Sequence, residues 1–237
     1  MIVWRLEQYP ELGSTSDEII RRAKAGDPAG LAVLALKQSA GRGSRGRVWV
    51  APEGNLNLSV LLRPRRPARD AGLFSLMAGL AVVEALTTLG ARDLSLKWPN
   101  DILHQGAKLA GILIDAAPQG EGLEWLALGI GVNLRTAPQI VGRLTTSLSQ
   151  QGLELTPPQV AEAILARLGF WLEAEGAKIV QAWLAHGHKN GTNLEILYAG
   201  QQIEGVFAGL SPRGELLLQR EDRIETLNTG EILRAKR

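Results

Sequence analysis

The residues best suited to chemistry in this chain fall into three short blocks. The first is Gly41-Arg42-Gly43-Ser44-Arg45-Gly46-Arg47-Val48-Trp49. Glycine lets a backbone approach a ligand closely and take positive φ. Each arginine adds a permanent charge on a planar fork of donors matched to carboxylate and phosphate. Such a loop can wrap an anion. No Gly-Lys-Ser/Thr follows it, so it is not a Walker A loop. It is single, internal and flanked by strand-like apolar runs at 31–37 and 55–63, unlike an Arg/Gly-rich tail or an interdomain linker. Its three arginines should repel one another until an anion arrives, which predicts a loop that orders on its ligand.

The second block is Lys97-Trp98-Pro99-Asn100-Asp101. Proline fixes φ and biases the residue before it to an extended backbone. A strand end therefore displays lysine, asparagine and aspartate at a sharp turn. Lysine can neutralise phosphate, the asparagine amide can read a purine edge, and aspartate can hold magnesium or accept a proton. The same residues are also ordinary turn chemistry. The third block is Lys108-Leu-Ala-Gly-Ile-Leu-Ile-Asp115, an apolar strand with lysine at its entrance and aspartate at its end. Gly111 within it marks a bulge or a close approach. His104, His186 and His188 lack metal-ligand spacing and read as surface residues. Arg63, Arg65, Arg66 and Arg69 flank Pro64 and Pro67 and read as a solvated loop.

Composition bounds the setting of these blocks. The chain has 237 residues, 45% of them hydrophobic and 21% charged, as in globular proteins of one large domain or of a medium and a small one. A net charge of +2 is too small to imply nucleic-acid binding. With no cysteine, disulfides, thiolate catalysis and Cys-based zinc sites are excluded. No apolar run approaches the ~20 residues of a membrane span, and no signal peptide is visible. A cytoplasmic protein with no membrane partner is expected.

The elements follow from periodicity. A strand over 2–9 leads to Ser14, which with Asp17 fits a capping pattern for a short helix ending near Gly26. Strands are predicted at 31–37, 55–63, 94–98, 108–116 and 123–134, the last two forming a hairpin. Leu73, Leu76, Met77, Leu80, Val83 and Leu86 mark an amphipathic helix over 70–89. A second long helix, over 157–175, starts with Pro157. Trp4, Trp125, Trp171 and Trp183 read as core or interface residues. Beyond His188, short strand candidates with tight turns predict a small β-barrel. The expected fold is α+β: a mixed β-sheet catalytic domain with packed helices over 1–188, and a small SH3-like β-barrel over 189–237.

Taken in order, Ser14-Thr15 before a helix, Gln38 ahead of the arginine loop, Lys97–Asp101, Lys108–Leu113 and Gly230-Glu231-Ile232 resemble the biotin–protein ligases, also called biotin–[acetyl-CoA-carboxylase] ligases. The resemblance covers essentially the whole chain. It implies that biotin and Mg-ATP form biotinyl-5′-AMP, and that a lysine of a biotin carboxyl carrier domain then takes the biotinyl group. It also implies site roles. Ser14, Thr15, Ser16, Gln38, Gly41, Arg42, Gly43, Ser44 and Lys108 match biotin-binding positions. Arg45, Arg47, Trp49, Lys97, Asn100 and Asn133 match nucleotide-binding positions. Lys108, Arg47, Lys97 and Asp101 match the catalytic set, with Asp101 at the magnesium.

Ser16 stands where asparagine is frequent in that family, Ser44 where many members have arginine, and Asp115 where glutamate is common. Thirteen residues precede Ser14, so a ligase without an N-terminal DNA-binding domain, and no DNA partner, is expected. An edge strand leaves a homodimer open. Two other readings stand beside this one. A lipoate–protein ligase shares the fold and the adenylate chemistry but is weakened by the first two blocks. A nucleic-acid-binding module would use the basic loop but conflicts with the near-neutral charge.

Overall fold

In the computed structural model, which describes residues 2–236, seven strands form one mixed sheet. They are β1 (Arg5–Leu12), β2 (Leu31–Gln38), β3 (Leu56–Leu62), β4 (Leu94–Lys97), β5 (Asp101–His104), β6 (Ala107–Gln119) and β7 (Gly122–Val132), in the order β1-β2-β3-β7-β6-β5-β4. β1 runs parallel to β2 and the other neighbours are antiparallel. One face carries helix α1 (Thr15–Lys24); the other carries α2 (Ala71–Thr88), α3 (Pro157–Leu172) and α4 (Gly176–His186).

Side chains alternate across a sheet, and that alternation sorts the core. Leu31, Val33, Leu61, Trp125 and Ala127 pack with Ile19 and Ala23 of α1. Leu34, Leu58, Val60, Leu128 and Ile130 pack with α2 and α3. The short α1 covers only part of its face. From its first turn outward the same face continues as two rungs, Ser59–Gly129–Leu113 beneath Thr15 and Ser16 and Asn57–Gly131–Gly111 next to it. Apart from Leu113, the small and polar residues there leave a depression where apolar ones would have extended the core.

Several expectations are corrected. The helix over 70–89 is present but not amphipathic: thirteen of its residues are buried, because the sheet, α3 and α4 enclose it. Residues 68–88, at mean hydropathy 1.6, do reach the length and apolarity of a membrane span, contrary to expectation, but this segment is mostly buried inside the protein. α4 and β5 were not foreseen. The second arginine group is not simply solvated. Arg63 donates to the carbonyls of Ala23, Asp27 and Glu124 at 2.9, 3.0 and 3.1 Å, closing the C-terminal end of α1, and Arg66 donates to Ala174 O at 2.6 Å. Trp125, Trp171 and Trp183 are buried, as expected.

The C-terminal part is a five-stranded antiparallel sheet of β8 (Asn193–Tyr198), β9 (Gln201–Leu210), β10 (Leu216–Arg220), β11 (Arg223–Leu227) and β12 (Glu231–Lys236). Its order is β11-β10-β9-β8-β12, so the expected barrel does not close. The short connection 228–230 carries the chain away from β11 to the opposite edge, where β12, also unforeseen, pairs with β8. β11 and β12 therefore end the sheet as separate edges.

His188, read as a surface residue, instead sits between α4 and this second sheet. Its ring lies 6.4 Å from Trp183 and 5.7 Å from Phe207, and its Nε2 is buried without a partner. Burial, with Lys97 as a lesser cause, pushes its pKa down to about 4. Between that value and the ordinary ~6.5 the unfolded chain binds a proton that the folded chain refuses, so stability falls as pH falls through this window. Replacing His188 by Gln should reduce the stability lost between pH 7 and pH 5 by about 1–2 kcal/mol, read from urea unfolding at each pH. An unchanged pH dependence would refute this account of the joint.

Candidate active site

The depression beyond α1 becomes a cleft lined by Ser14, Thr15, Ser16, Gln38, Arg42, Gly43, Ser44, Trp49, Asn57, Ser59, Asn100, Lys108 and the glycines at 111, 129 and 131, with neighbouring backbone. Ser14 is the N-cap of α1, its Oγ accepting from Asp17 N at 3.4 Å. Capping holds the helix start at the cleft and leaves Thr15 and Ser16, both buried, facing the sheet. Thr15 Oγ1 and Ser16 Oγ lie 2.8 and 3.2 Å from Ser59 Oγ. Gln38 Oε1 accepts from Thr15 N at 2.7 Å. At this closed end the cleft offers neutral donors and acceptors and no charge.

The arginine loop is a small hairpin. Arg42 bridges Val48, Trp49 N donates to Gly41 O at 2.9 Å and Gly43 N to Arg47 O at 2.7 Å. Arg45 and Gly46 take positive φ at its tip. A side chain at Gly41 would meet Trp49 O at 2.3 Å, so the hairpin closes only on glycine. The Trp49 indole reaches back over the floor: a methyl at Gly131 would lie 2.4–2.6 Å from its ring atoms.

The expected mutual repulsion of the loop arginines is offset in part by carboxylates. Arg42 holds Asp115 with both terminal nitrogens, at 3.2 and 2.9 Å, and Asp17 at 3.0 Å. Arg45 and Arg47 donate to Glu231 of β12 at 2.6 and 2.9 Å, and Arg143 joins the same carboxylate. The hairpin is thus pinned at its base to α1 and β6, and at its tip to the second sheet.

The Lys97–Asp101 turn is fixed from several sides. Ser75 Oγ donates to Pro99 O at 2.7 Å and Trp98 Nε1 to Gly214 O at 3.0 Å. Asn100 Nδ2 donates to Ile112 O at 2.7 Å, so one of its donors already serves the strand. Lys108 Nζ is paired with Asp101 and stands 5.7 Å over the Trp49 ring. Burial pushes the Lys97 ammonium below its ordinary pKa; Asp101 opposes this, while Arg143, Lys108 and Arg47 add to it. Arg45, Arg47, Lys97 and Asp101 line a second hollow with Gly230 and Glu231, and Lys97, Asp101, Lys108 and Arg143 line a third. With Arg234, six cations line these two hollows against two carboxylates, Asp101 and Glu231, so the region is short of negative charge.

The structure gathers all the sequence-derived candidates but two among the residues that line this cleft and its mouth; Gly41 instead closes the base of the hairpin against Trp49. Asn133 is not among the lining residues; it is buried past Gly131, its Nδ2 donating to Thr146 O at 3.1 Å. Sequence reasoning missed Asn57, Ser59 and Arg143, and gave Glu231 no role. The alternation Asn55-Leu-Asn57-Leu-Ser59 was the available signal for the first two, yet alternating polarity in a strand ordinarily marks a solvated face.

Comparison with known proteins agrees with this layout. The chain is 38% identical over 205 residues to a biotin–[acetyl-CoA-carboxylase] ligase of Paracoccus denitrificans, covering 79% of this chain and 83% of that one. The chain belongs to the biotin protein ligase family. A ligase of the same name from Mycobacterium tuberculosis is 32% identical, with coverage of 97% and 89%. Residues 16–133 match the biotin/lipoate A/B protein ligase family, and 192–234 match the biotin protein ligase C-terminal domain. The biotin protein ligase of Aquifex aeolicus, solved in complex with biotin and ATP, superposes with a TM-score of 0.81 at 28% identity over 96% of this chain and 97% of that one. Membership places the open five-stranded sheet as the family's C-terminal module. It also gives the Glu231 contact a setting, since that contact ties this module to the arginine hairpin.

Replacing Glu231 by Ala releases three arginines at once. Limited proteolysis of the free protein should then cut within 41–49 several-fold faster than in the parent; equal rates would show that Glu231 does not hold the hairpin.

Proposed function

We propose that this chain is a biotin–[acetyl-CoA-carboxylase] ligase. It joins the biotin carboxylate to the α-phosphate of ATP with release of pyrophosphate, then passes the biotinyl group to a lysine of a biotin carboxyl carrier domain with release of AMP. The observation that carries the reading is the polarity of the cleft and the two hollows that adjoin it through Ser44, Asn100 and Lys108. The closed end is neutral and rich in hydrogen-bonding groups, and the hollows at the mouth hold six cations against two carboxylates.

Each end has a task. Thr15, Ser16 and Gln38, behind the Ser14 cap, hold the uncharged ureido ring. The backbone of Gly41–Ser44 borders the chain that leads to the carboxylate, and Lys108 lies where that carboxylate meets the α-phosphate. Carboxylate and phosphate repel, so the reaction needs fixed positive charge between them and little covalent chemistry from the protein. Lys108 supplies it and is held in place by Asp101 and by the backbone bonds Lys108 N to Leu144 O and Thr146 N to Lys108 O, at 2.8 and 3.0 Å. Arg45, Arg47, Lys97 and Arg143 take the remaining phosphates, and Trp49 and Asn100 flank the nucleotide. Arg42, neutralised by Asp115 and Asp17, anchors the hairpin. The mixed anhydride is sensitive to water, and a closed hairpin shields it.

Magnesium fits this site as a companion of the nucleotide. Among the described residues no three His, Cys, Asp or Glu side chains cluster as a metal site, and magnesium commonly binds through one or two carboxylates plus substrate phosphates. Asp101 would hold it, and the ion would neutralise the leaving pyrophosphate. The ATP requirement and the absence of cysteine support a cytoplasmic setting. We assign 1–188 to catalysis and 189–237 to a C-terminal module that bears on ATP through Glu231.

Incubation with biotin and ATP should yield biotinyl-5′-AMP and pyrophosphate, while lipoate in place of biotin should yield neither at a comparable rate; the reverse preference would overturn the reading. Lys108→Ala should slow pyrophosphate release by about 100-fold or more, the scale of losing one electrostatic stabiliser. Release at the parent rate would remove Lys108 from the chemistry.

A further inference from the structure

Asn57 lies on the cleft floor, on the rung opposite Gly131, and is buried. Its Nδ2 donates to Ala35 O at 3.2 Å, and its Oδ1 accepts from Gln38 Nε2 at 3.2 Å. The Ala35 carbonyl can only accept, so it fixes which end of the Asn57 amide faces it. Oδ1 is thereby turned to Gln38, and only the NH₂ of Gln38 can answer it. At the far end, Thr15 N can only donate, and it meets Gln38 Oε1 at 2.7 Å. Two backbone groups on different elements thus impose the same orientation on Gln38, one of them through Asn57.

The hydroxyls beside Gln38 are ordered by the same logic. Thr15 Oγ1 donates to Gln38 Oε1 at 3.1 Å, so its contact with Ser59 must be one in which it accepts. Ser59 has then used its proton and must accept from Ser16. The result is a directed row, Ser16 to Ser59 to Thr15 to Gln38, with lone pairs left on Ser16 and one N–H left on Gln38 Nε2. A cyclic urea presents a carbonyl acceptor beside N–H donors. That pattern complements the leftover N–H and lone pairs.

We propose that Asn57 is a positioning and specificity-determining residue: by locking the Gln38 amide it leaves one Nε2 donor free for the ureido carbonyl of biotin. The inference rests on the proposed ligase function. Asn57 acts through Gln38, away from the reacting carboxylate, so it governs capture of the ureido ring and leaves the chemical step alone. Without it, Gln38 is held only at its oxygen end, and its half-buried NH₂ loses its acceptor.

The test uses the full chain and pyrophosphate release. Asn57→Leu, similar in size but apolar, should raise KM for biotin by about 10- to 100-fold, leaving kcat within about twofold and KM for ATP unchanged. Dethiobiotin, which keeps the ureido group, should lose in parallel. A straight-chain carboxylic acid without that group should be turned over as slowly as by the parent, so selectivity for biotin over it falls by the same factor. Combined with Gln38→Ala, Asn57→Leu should add nothing to the loss from Gln38→Ala alone. Asn57→Ser, too short to reach Gln38, repeats the measurement should the leucine variant not fold. Additive losses, a fall in kcat at unchanged KM, or unchanged selectivity would each overturn the proposal. Failure of the parent chain to adenylate biotin would instead overturn the function on which it rests.

Discussion

The structure depends on a face of the central sheet that its helix covers only in part. α1 starts at Ser14 because the serine cap starts it there, and the sheet extends beyond that point. Where α1 lies over the strands, the face is Leu61, Trp125 and Ala127. From its first turn outward, the face is Ser59, Asn57, Gly129, Gly131 and Gly111, with Leu113 beside them. A few positions along the same strands separate a packed core from a ligand cleft. The opposite face shows the contrast, since it carries α2, one of the most deeply enclosed segments of the molecule. Rigidity comes from that side and access from the other.

Charge is distributed to match. The closed end of the cleft is neutral because the polar groups there are hydroxyls and amides bonded to one another. The mouth is cationic, and its carboxylates belong to separate parts of the chain: Asp101 on β5, and Glu231 on β12 of the second sheet. Glu231 already offers the arginine hairpin an anion, so a polyphosphate entering the mouth competes with a built-in partner. This gives the C-terminal module a physical link to the proposed catalysis: it holds the Arg45 and Arg47 guanidinium groups that we propose engage the nucleotide. The hairpin is preorganised by paired charges, which would lower the entropy lost on binding a ligand there.

Candidate site blocks contiguous in the chain are legible from residue order alone. The arginine hairpin, the Lys97–Asp101 turn and the Lys108 strand each carry enough chemistry within a few residues to be recognised, and together they point to an adenylate-forming ligase. The strands of the central sheet are also legible, apart from β5, because apolar runs of that length between turn residues have few alternatives. Less legible are elements whose character depends on what surrounds them. The helix over 70–89 shows apolar spacing on one side, but the sheet, α3 and α4 bury the other side too. α4 and β12 are short and mixed in composition, and their pairing or packing partners are distant in the chain. His188 is unreadable for the same reason: a lone histidine after a helix has no sequence mark of the Trp183 and Phe207 rings that enclose it.

By itself the sequence determined the chemical inventory: which cations, hydroxyls, amides and carboxylates exist, which of them travel together on one turn or strand end, and that no thiol chemistry is available. Local rules such as the Ser14 cap, proline at a strand end and glycine in a tight hairpin act within a few residues, so they survive the loss of all other information. Only the tertiary structure decided which side of β3 would be solvated, core or cleft, because alternation fixes two faces but not what covers them. Only it brought Glu231 to Arg45 across 186 positions of chain and Asn57 to Gln38 across neighbouring strands. Those contacts are set by strand order and register, and a one-residue slip in either strand would turn the same side chains to the opposite face.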